Sequence, residues 1–206
     1  GESESNLRKA FGVIEAIGRC VVWIDEIEKA LQGATSGSAD GGVSADALGA
    51  ILNWMQERSG EAFVIATAND VEGLPPELLR KGRFDELWFV DLPTPQERAA
   101  ILAASLRAHG RDGAGIDCTE ITGATEGFTG AELAALVPDA LYSAFADNAR
   151  EITADDLMTA AATVVPLSKT AGEKIDRLRA WAQGRTRPAT TAAASRTTAA
   201  GRVLDI

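Results

Sequence analysis

Apolar residues recur at Leu7, Ala10, Phe11, Ile14 and Ile17, with Arg8, Lys9 and Glu15 on other faces. That spacing draws one apolar stripe along a helix, and Ser3 or Ser5 can serve as its N-cap. The period then changes. Cys20 to Ile24 is a continuous apolar run with β-branched residues, which predicts a strand buried on both faces. Residues 33–44, GATSGSADGGVS, form a Gly/Ser-rich loop. Leu48, Ile51, Leu52 and Met55 next share one face of a helix. A second apolar strand, Ala62 to Thr67, runs into Asn69 and Asp70. LPPELLRKGRFDE predicts a turn, a short helix and an exposed basic loop, and LWFVDL a third strand closed by Pro93.

Strands alternating with helices predict an α/β fold with a parallel sheet. PTPQERAAILAASLRAHG continues as a helix with Pro95 near its first turn. After RDGAG the pattern is helical only, from residue 116 to 164, with Thr153 and Asp156 spaced as a capping-box variant. KTAGEKIDRLRAWAQG adds a helix whose Ile175, Leu178 and Trp181 stripe is expected to dock on the body. The expected division is an α/β core over residues 1–110, a small all-α domain over 111–167, a helix over 168–184, and a disordered tail over 185–206. The tail is rich in Ala, Thr and Arg and offers too little apolar bulk to fold.

Composition narrows the class. The chain has 206 residues, 46% hydrophobic and 24% charged, as expected of a globular protein of one domain and a small satellite. No apolar run reaches the ~20 residues that a membrane helix needs, and no secretory leader pattern is present. Two cysteines make no disulfide framework, and Cys20 reads as a small buried hydrophobe. Cytosol is the expected compartment. The net charge of −10 disfavours nonspecific nucleic-acid binding, which runs on clustered Lys and Arg.

The candidate chemistry lies where the first two strands end. In open α/β sheets, ligands sit at the carboxyl ends of strands. Asp25 can hold a hydrated Mg²⁺, a hard cation that takes oxygen ligands. Glu26 can accept a proton from an attacking water, and Asn69 can orient that water or contact a terminal phosphate. Each residue alone also fits a structural role, since an acid after a strand often caps a helix and an Asn often makes a turn.

The order GESESNLRKAF, VVWIDEIEKA, VIATAND and LPPELLRKGRFDE resembles the AAA branch of the AAA+ ATPases, over residues 1 to about 165. The opening looks like the valosin-containing-protein group. From LNWMQE through VPLS the chain looks closer to the AAA reading-frame family of plastids and cyanobacteria. The resemblance implies a P-loop NTPase core with a helical lid, and ATP and Mg²⁺ as cofactors. It also implies a ring-shaped homo-oligomer that remodels a protein substrate. By resemblance, Asp25 is the Walker B metal-side acid, Glu26 the catalytic base and Asn69 sensor 1. Arg80 and Arg83 are the paired arginine fingers, reaching the next subunit's ATP. Gly130 and Ala131, in GFTGAEL, are the adenine-side backbone contacts, and GATSGSADGG takes the place of the second pore loop.

Three departures stand out. No G-x-x-x-x-G-K-[ST] phosphate loop occurs in the sequence; the family places it upstream of GESE, so the expectation is that the chain is the latter part of such a module. Ser105 stands where relatives often have His, and Asp46 where they often have Arg. The alternative reading is a non-catalytic AAA-like interaction module.

Overall fold

In a computed structural model of the chain, the described residues are 2–35, 45–58, 61–80, 82–112 and 115–190. They form two compact units, with the break between Leu87 and Trp88.

The first unit opens on α1 (Glu2–Ile17), so Ser3 and Ser5 lie within the helix instead of capping it. Then come β1 (Val21–Ile24), α2 (Ile27–Thr35), α3 (Ala45–Glu57), β2 (Phe63–Ala66) and a 3₁₀ turn (Pro76–Leu79). β1 and β2 pair in parallel, with Val21 opposite Phe63 and Ile24 opposite Ala66. Parallel pairing needs a crossover, which α2 and α3 supply. The inward residues Ile24, Val64 and Ala66 pack against Ile27, Leu31, Ile51, Met55 and Leu78. Phe11 of α1 stacks on Trp54 of α3, ring centroids 4.4 Å apart and planes 3° from parallel.

The expectation of strands buried on both faces is corrected here. Burial alternates along both strands. Trp23 is 71% exposed, and Val21, Phe63 and Ile65 line the same open face. An all-apolar strand cannot announce by its residue types which face is covered, because both faces carry side chains suited to burial.

In the second unit β3 (Trp88–Phe89) is followed by α4 (Pro95–Ala108), α5 (Thr119–Ala124), α6 (Gly130–Ala146), α7 (Ala154–Thr163), α8 (Leu167–Thr170), α9 (Gly172–Ala182) and β4 (Arg187–Pro188). Leu102 and Leu106 of α4 share a core with Leu133, Leu136 and Val137 of α6 and Leu157 of α7. The packing thus groups α4 with the helices that follow it, whereas the sequence pattern draws the division after residue 110. Three helix starts carry full capping boxes: Thr94 with Glu97, Thr129 with Glu132, and Thr153 with Asp156. Ile175, Leu178 and Trp181 are half-buried, and Arg179 of α9 pairs with Asp91 at 2.8 Å.

The tail also needs a correction at its start. Residues 187–188 form β4, parallel to β3, and the Ala189 N–H donates to the Phe89 carbonyl at 2.8 Å. Two short backbone pairings and the Arg187 guanidinium, 5.9 Å from the centre of the Trp88 ring, hold a segment with almost no apolar bulk. The remaining tail, residues 191–206, lies outside the described residues, as does most of the expected pore loop, residues 36–44.

Arg150 ties the α6–α7 turn through Asp147, at 2.7 Å, and Asp156. Asn148 and Ala149 take left-handed φ values of 56° and 53°. Arg150 then grips the buried Asp156 carboxylate with two donors, at 2.6 and 2.7 Å. Arg150 holds the Asp156 carboxyl well below the usual carboxylate range, and the Thr153 hydroxyl and N–H add to this against the desolvation of burial. Because the folded-state pKa is lowered, the stabilisation is complete above the unfolded value near ~4 and is lost as pH falls through and below it. Asp156→Asn should therefore lower unfolding free energy by about 2 kcal/mol at neutral pH. In thermal melts across pH, the gap between variant and parent should close steadily below about pH 4.

Candidate functional site

β1 and β2 end side by side, and their register decides which groups meet beyond them. Thr67 follows β2. Its N–H donates to the Ile24 carbonyl at 3.0 Å, and its carbonyl accepts from the Ile27 N–H at 2.9 Å. Its hydroxyl donates to the Asp25 carboxylate and accepts from the Glu26 N–H, the latter at 3.1 Å. Glu26 is not a glycine, yet it takes φ 49° in the left-handed region. That backbone turns the chain from strand into α2.

Asn69 joins the group from the second strand. Its side-chain amide donates to Glu26 Oε1 at 3.2 Å. Its backbone N–H donates to Glu28 Oε1 at 3.1 Å. Lys29 Nζ stands 2.5 Å from Glu26 Oε2, and the hydrogen bond to Glu26 raises the Lys29 ammonium above its ordinary pKa. The structure thus brings Asp25, Glu26 and Asn69 together. A solvent-facing carboxylate pair beside a neutral amide can hold a hydrated divalent cation and a proton-accepting oxygen side by side. Among the described residues no cluster of His, Cys, Asp and Glu forms a closed protein cage for a metal.

The arginines lie elsewhere in the first unit. Arg80 closes the 3₁₀ turn and is exposed. Its carbonyl accepts from the Arg83 N–H at 3.3 Å, and Gly82 between them takes φ 91°. The Arg83 guanidinium donates to the Glu77 carbonyl. Among the described residues, no hydrogen bond or ion pair is seen from either arginine to Asp25, Glu26 or Asn69.

Gly130 and Ala131 belong to the second unit, in the first turn of α6 behind the Thr129 cap. A Cβ on Gly130 would stand 3.6 Å from Ile101 Cδ1, an ordinary contact, so sterics do not demand glycine there. They do at Gly127, at φ 82°, where a Cβ would fall 2.4 Å from Ser168 Oγ. Ser105 is buried and donates to the Ala134 carbonyl at 3.0 Å, tying α4 to α6.

Sequence reasoning missed Thr67 and Glu28. Thr67 looked like the last residue of a strand. Glu28 looked like one more acid on a polar helix, yet it is 2% exposed, and its Oε2 has no hydrogen-bond partner among the described residues. An acid four residues past the strand end, opposite a second polar strand end, was the available signal.

Comparison with known proteins gives concordant matches. Residues 1–92 match the ATPase family associated with various cellular activities (AAA), and residues 115–159 match the AAA+ lid domain. The uncharacterized AAA domain-containing protein ycf46 of Pyropia yezoensis is 40% identical over 92% of this chain, and that of Guillardia theta 39% over 88%. The chain spans 38% and 36% of those relatives' lengths. The crystal structure of the FIGL-1 AAA domain in complex with ADP superposes with a TM-score of 0.68 at 22% identity, covering 90% of this chain and 64% of that one. The fold is thus that of a P-loop NTPase core, carried here in part, followed by a helical lid.

Glu28 gives a test of how the site is braced. Glu28→Ala leaves the Asn69 N–H without its acceptor and should cost about 1–3 kcal/mol of unfolding free energy in denaturant titration. Glu28→Gln keeps an acceptor oxygen and should cost less than half as much.

Proposed function

The chain belongs to the AAA branch of the AAA+ ATPases, and we propose that it forms part of a ring-forming machine that couples MgATP hydrolysis to remodelling of a protein substrate. One observation carries this reading: Asp25, Glu26 and Asn69 converge at the ends of two parallel strands, with the Asn69 amide bonded to the Glu26 carboxylate. The ADP held by the structurally similar FIGL-1 domain supports a nucleotide at this fold.

The residues fit ATP and Mg²⁺. Bound MgATP supplies a phosphorus centre with its charge partly neutralised. Asp25 would hold the hydrated cation through a carboxylate oxygen. Glu26 accepts the proton of the attacking water, and its hydrogen bond from Asn69 fixes where that oxygen points. Lys29 Nζ stands 2.5 Å from the other Glu26 oxygen and fixes that side of the carboxylate. Arg80 is exposed and Arg83 half-buried in the segment after the 3₁₀ turn, and as fingers they would act on a neighbouring subunit's γ-phosphate; a planar guanidinium suits phosphate oxygens. Gly130 and Ala131 offer backbone groups to the adenine side. Asp25 is the metal residue, and Glu26, Asn69, Arg80 and Arg83 are the catalytic set. The open apolar face of the β1–β2 pair supports further sheet and helix from the longer protein covering it.

The 206-residue chain by itself should turn over ATP no faster than background, since its sequence carries no phosphate-loop motif. In the full-length protein, Glu26→Gln should retain ATP and lower turnover by about 10²-fold or more. Loss of nucleotide binding in that variant, with the fold intact, would show that Glu26 has another role. Arg83→Ala should slow hydrolysis by roughly 10³-fold with little loss of binding. Mixing it with Glu26→Gln should recover activity above the weighted sum of the two, because one subunit's base then faces the other's arginine. A rate that never exceeds that sum after confirmed subunit exchange counts against action in trans. Wild-type turnover in both variants would remove Glu26 and Arg83 from the catalytic set, and absence of turnover in the unmodified full-length protein would favour the non-catalytic module.

A further inference from the structure

We propose that Thr67 is a positioning residue for Glu26, setting the direction of the base through its hydroxyl. The proposal rests on the reading of Glu26 as the base. Glu26 holds φ 49°, a region that residues with a Cβ rarely occupy. Such a conformation persists only where its surroundings over-determine it. Thr67 is what over-determines it. It bonds the Ile24 carbonyl and the Ile27 N–H through its backbone, and Asp25 and Glu26 through its hydroxyl. One residue thus holds four consecutive positions of the strand-to-helix turn.

The hydroxyl must both donate and accept to do this, since the Asp25 carboxylate accepts and the Glu26 N–H donates. Serine and threonine can play both parts, and threonine's branched Cβ also limits its rotamers. Valine reproduces the shape and removes both bonds. The peptide between Asp25 and Glu26 would then be free to rotate. The Glu26 carboxylate would leave the place where Asn69 Nδ2 reaches it at 3.2 Å.

The test compares Thr67→Val with Thr67→Ser. In the 206-residue chain, amide hydrogen exchange by NMR should show the Glu26 N–H exchanging roughly tenfold faster in Thr67→Val and near the parent rate in Thr67→Ser. Amides inside β1 and β2 should change little in either. In the full-length ATPase, Thr67→Val should lower kcat by about 10²-fold while KM for ATP stays within about twofold, and Thr67→Ser should restore kcat to within about threefold. Faster exchange spread evenly over both strands, or a Thr67→Ser variant as impaired as Thr67→Val, would mean that Thr67 merely supports the fold. Unchanged kcat and unchanged Glu26 exchange in Thr67→Val would overturn the proposal outright. Failure of the base assignment itself is separable: turnover would then survive Glu26→Gln, while the exchange result reports on the Thr67 contact alone.

Discussion

Parallel strands cannot be joined by a tight turn, so their carboxyl ends come together only if a long crossover returns the chain to the same edge. Here α2 and α3 make that return, and the pairing of Ile24 with Ala66 sets Asp25 beside Thr67. Everything at the site follows from this register. A slip of one residue would exchange the faces of β2. It would turn Val64 and Ala66 out of the core and carry Asn69 away from Glu26. The apolar packing beneath the strands therefore enforces the register that the polar groups above them use.

The turn from β1 into α2 carries a conformational cost. A non-glycine residue in the left-handed region costs on the order of 1–2 kcal/mol. A glycine at position 26 would relieve the strain but would carry no carboxylate. The cost is offset from the opposite strand end, where the Thr67 hydroxyl accepts from the Glu26 N–H, while Glu28 of α2 accepts from the Asn69 N–H. Glu28 shows the limit of this bracing, since one of its buried oxygens finds no donor among the described residues. A buried, half-satisfied carboxylate is costly in a packed core. Here it holds the Asn69 backbone in place.

How much of this could be read from the sequence follows from which signals are local. The order of strands and helices was legible from hydrophobic period, and the convergence of Asp25, Glu26 and Asn69 from their places after two apolar runs. The Thr153–Asp156 cap was legible because all its parts lie within one helical turn. Thr67 and Glu28 were not, because their roles are defined by partners about forty positions away: |i−j| is 41 for both the Glu26–Thr67 and Glu28–Asn69 bonds. The open face of β1 and β2 was hidden because apolar residues on both faces give no alternation to read. Pairing of residues 187–188 with β3 was missed because two backbone hydrogen-bonding positions leave no mark on composition.

The two units also differ in how their helices begin, and this bears on the site. α4, α6 and α7 each start with a side chain three residues away satisfying the exposed N–H groups, so their starts are specified within their own sequence. At α2, the Glu26 and Ile27 N–H groups are met by the hydroxyl and carbonyl of Thr67, on the far side of the crossover. The starts of α4, α6 and α7 are therefore fixed by contacts within their own first turns. The helix behind Glu26 is set at its start only when β2 has paired with β1. The Glu26 carboxylate acquires its direction through the same hydrogen bonds that complete the strand ends, so its geometry is a tertiary property of the fold.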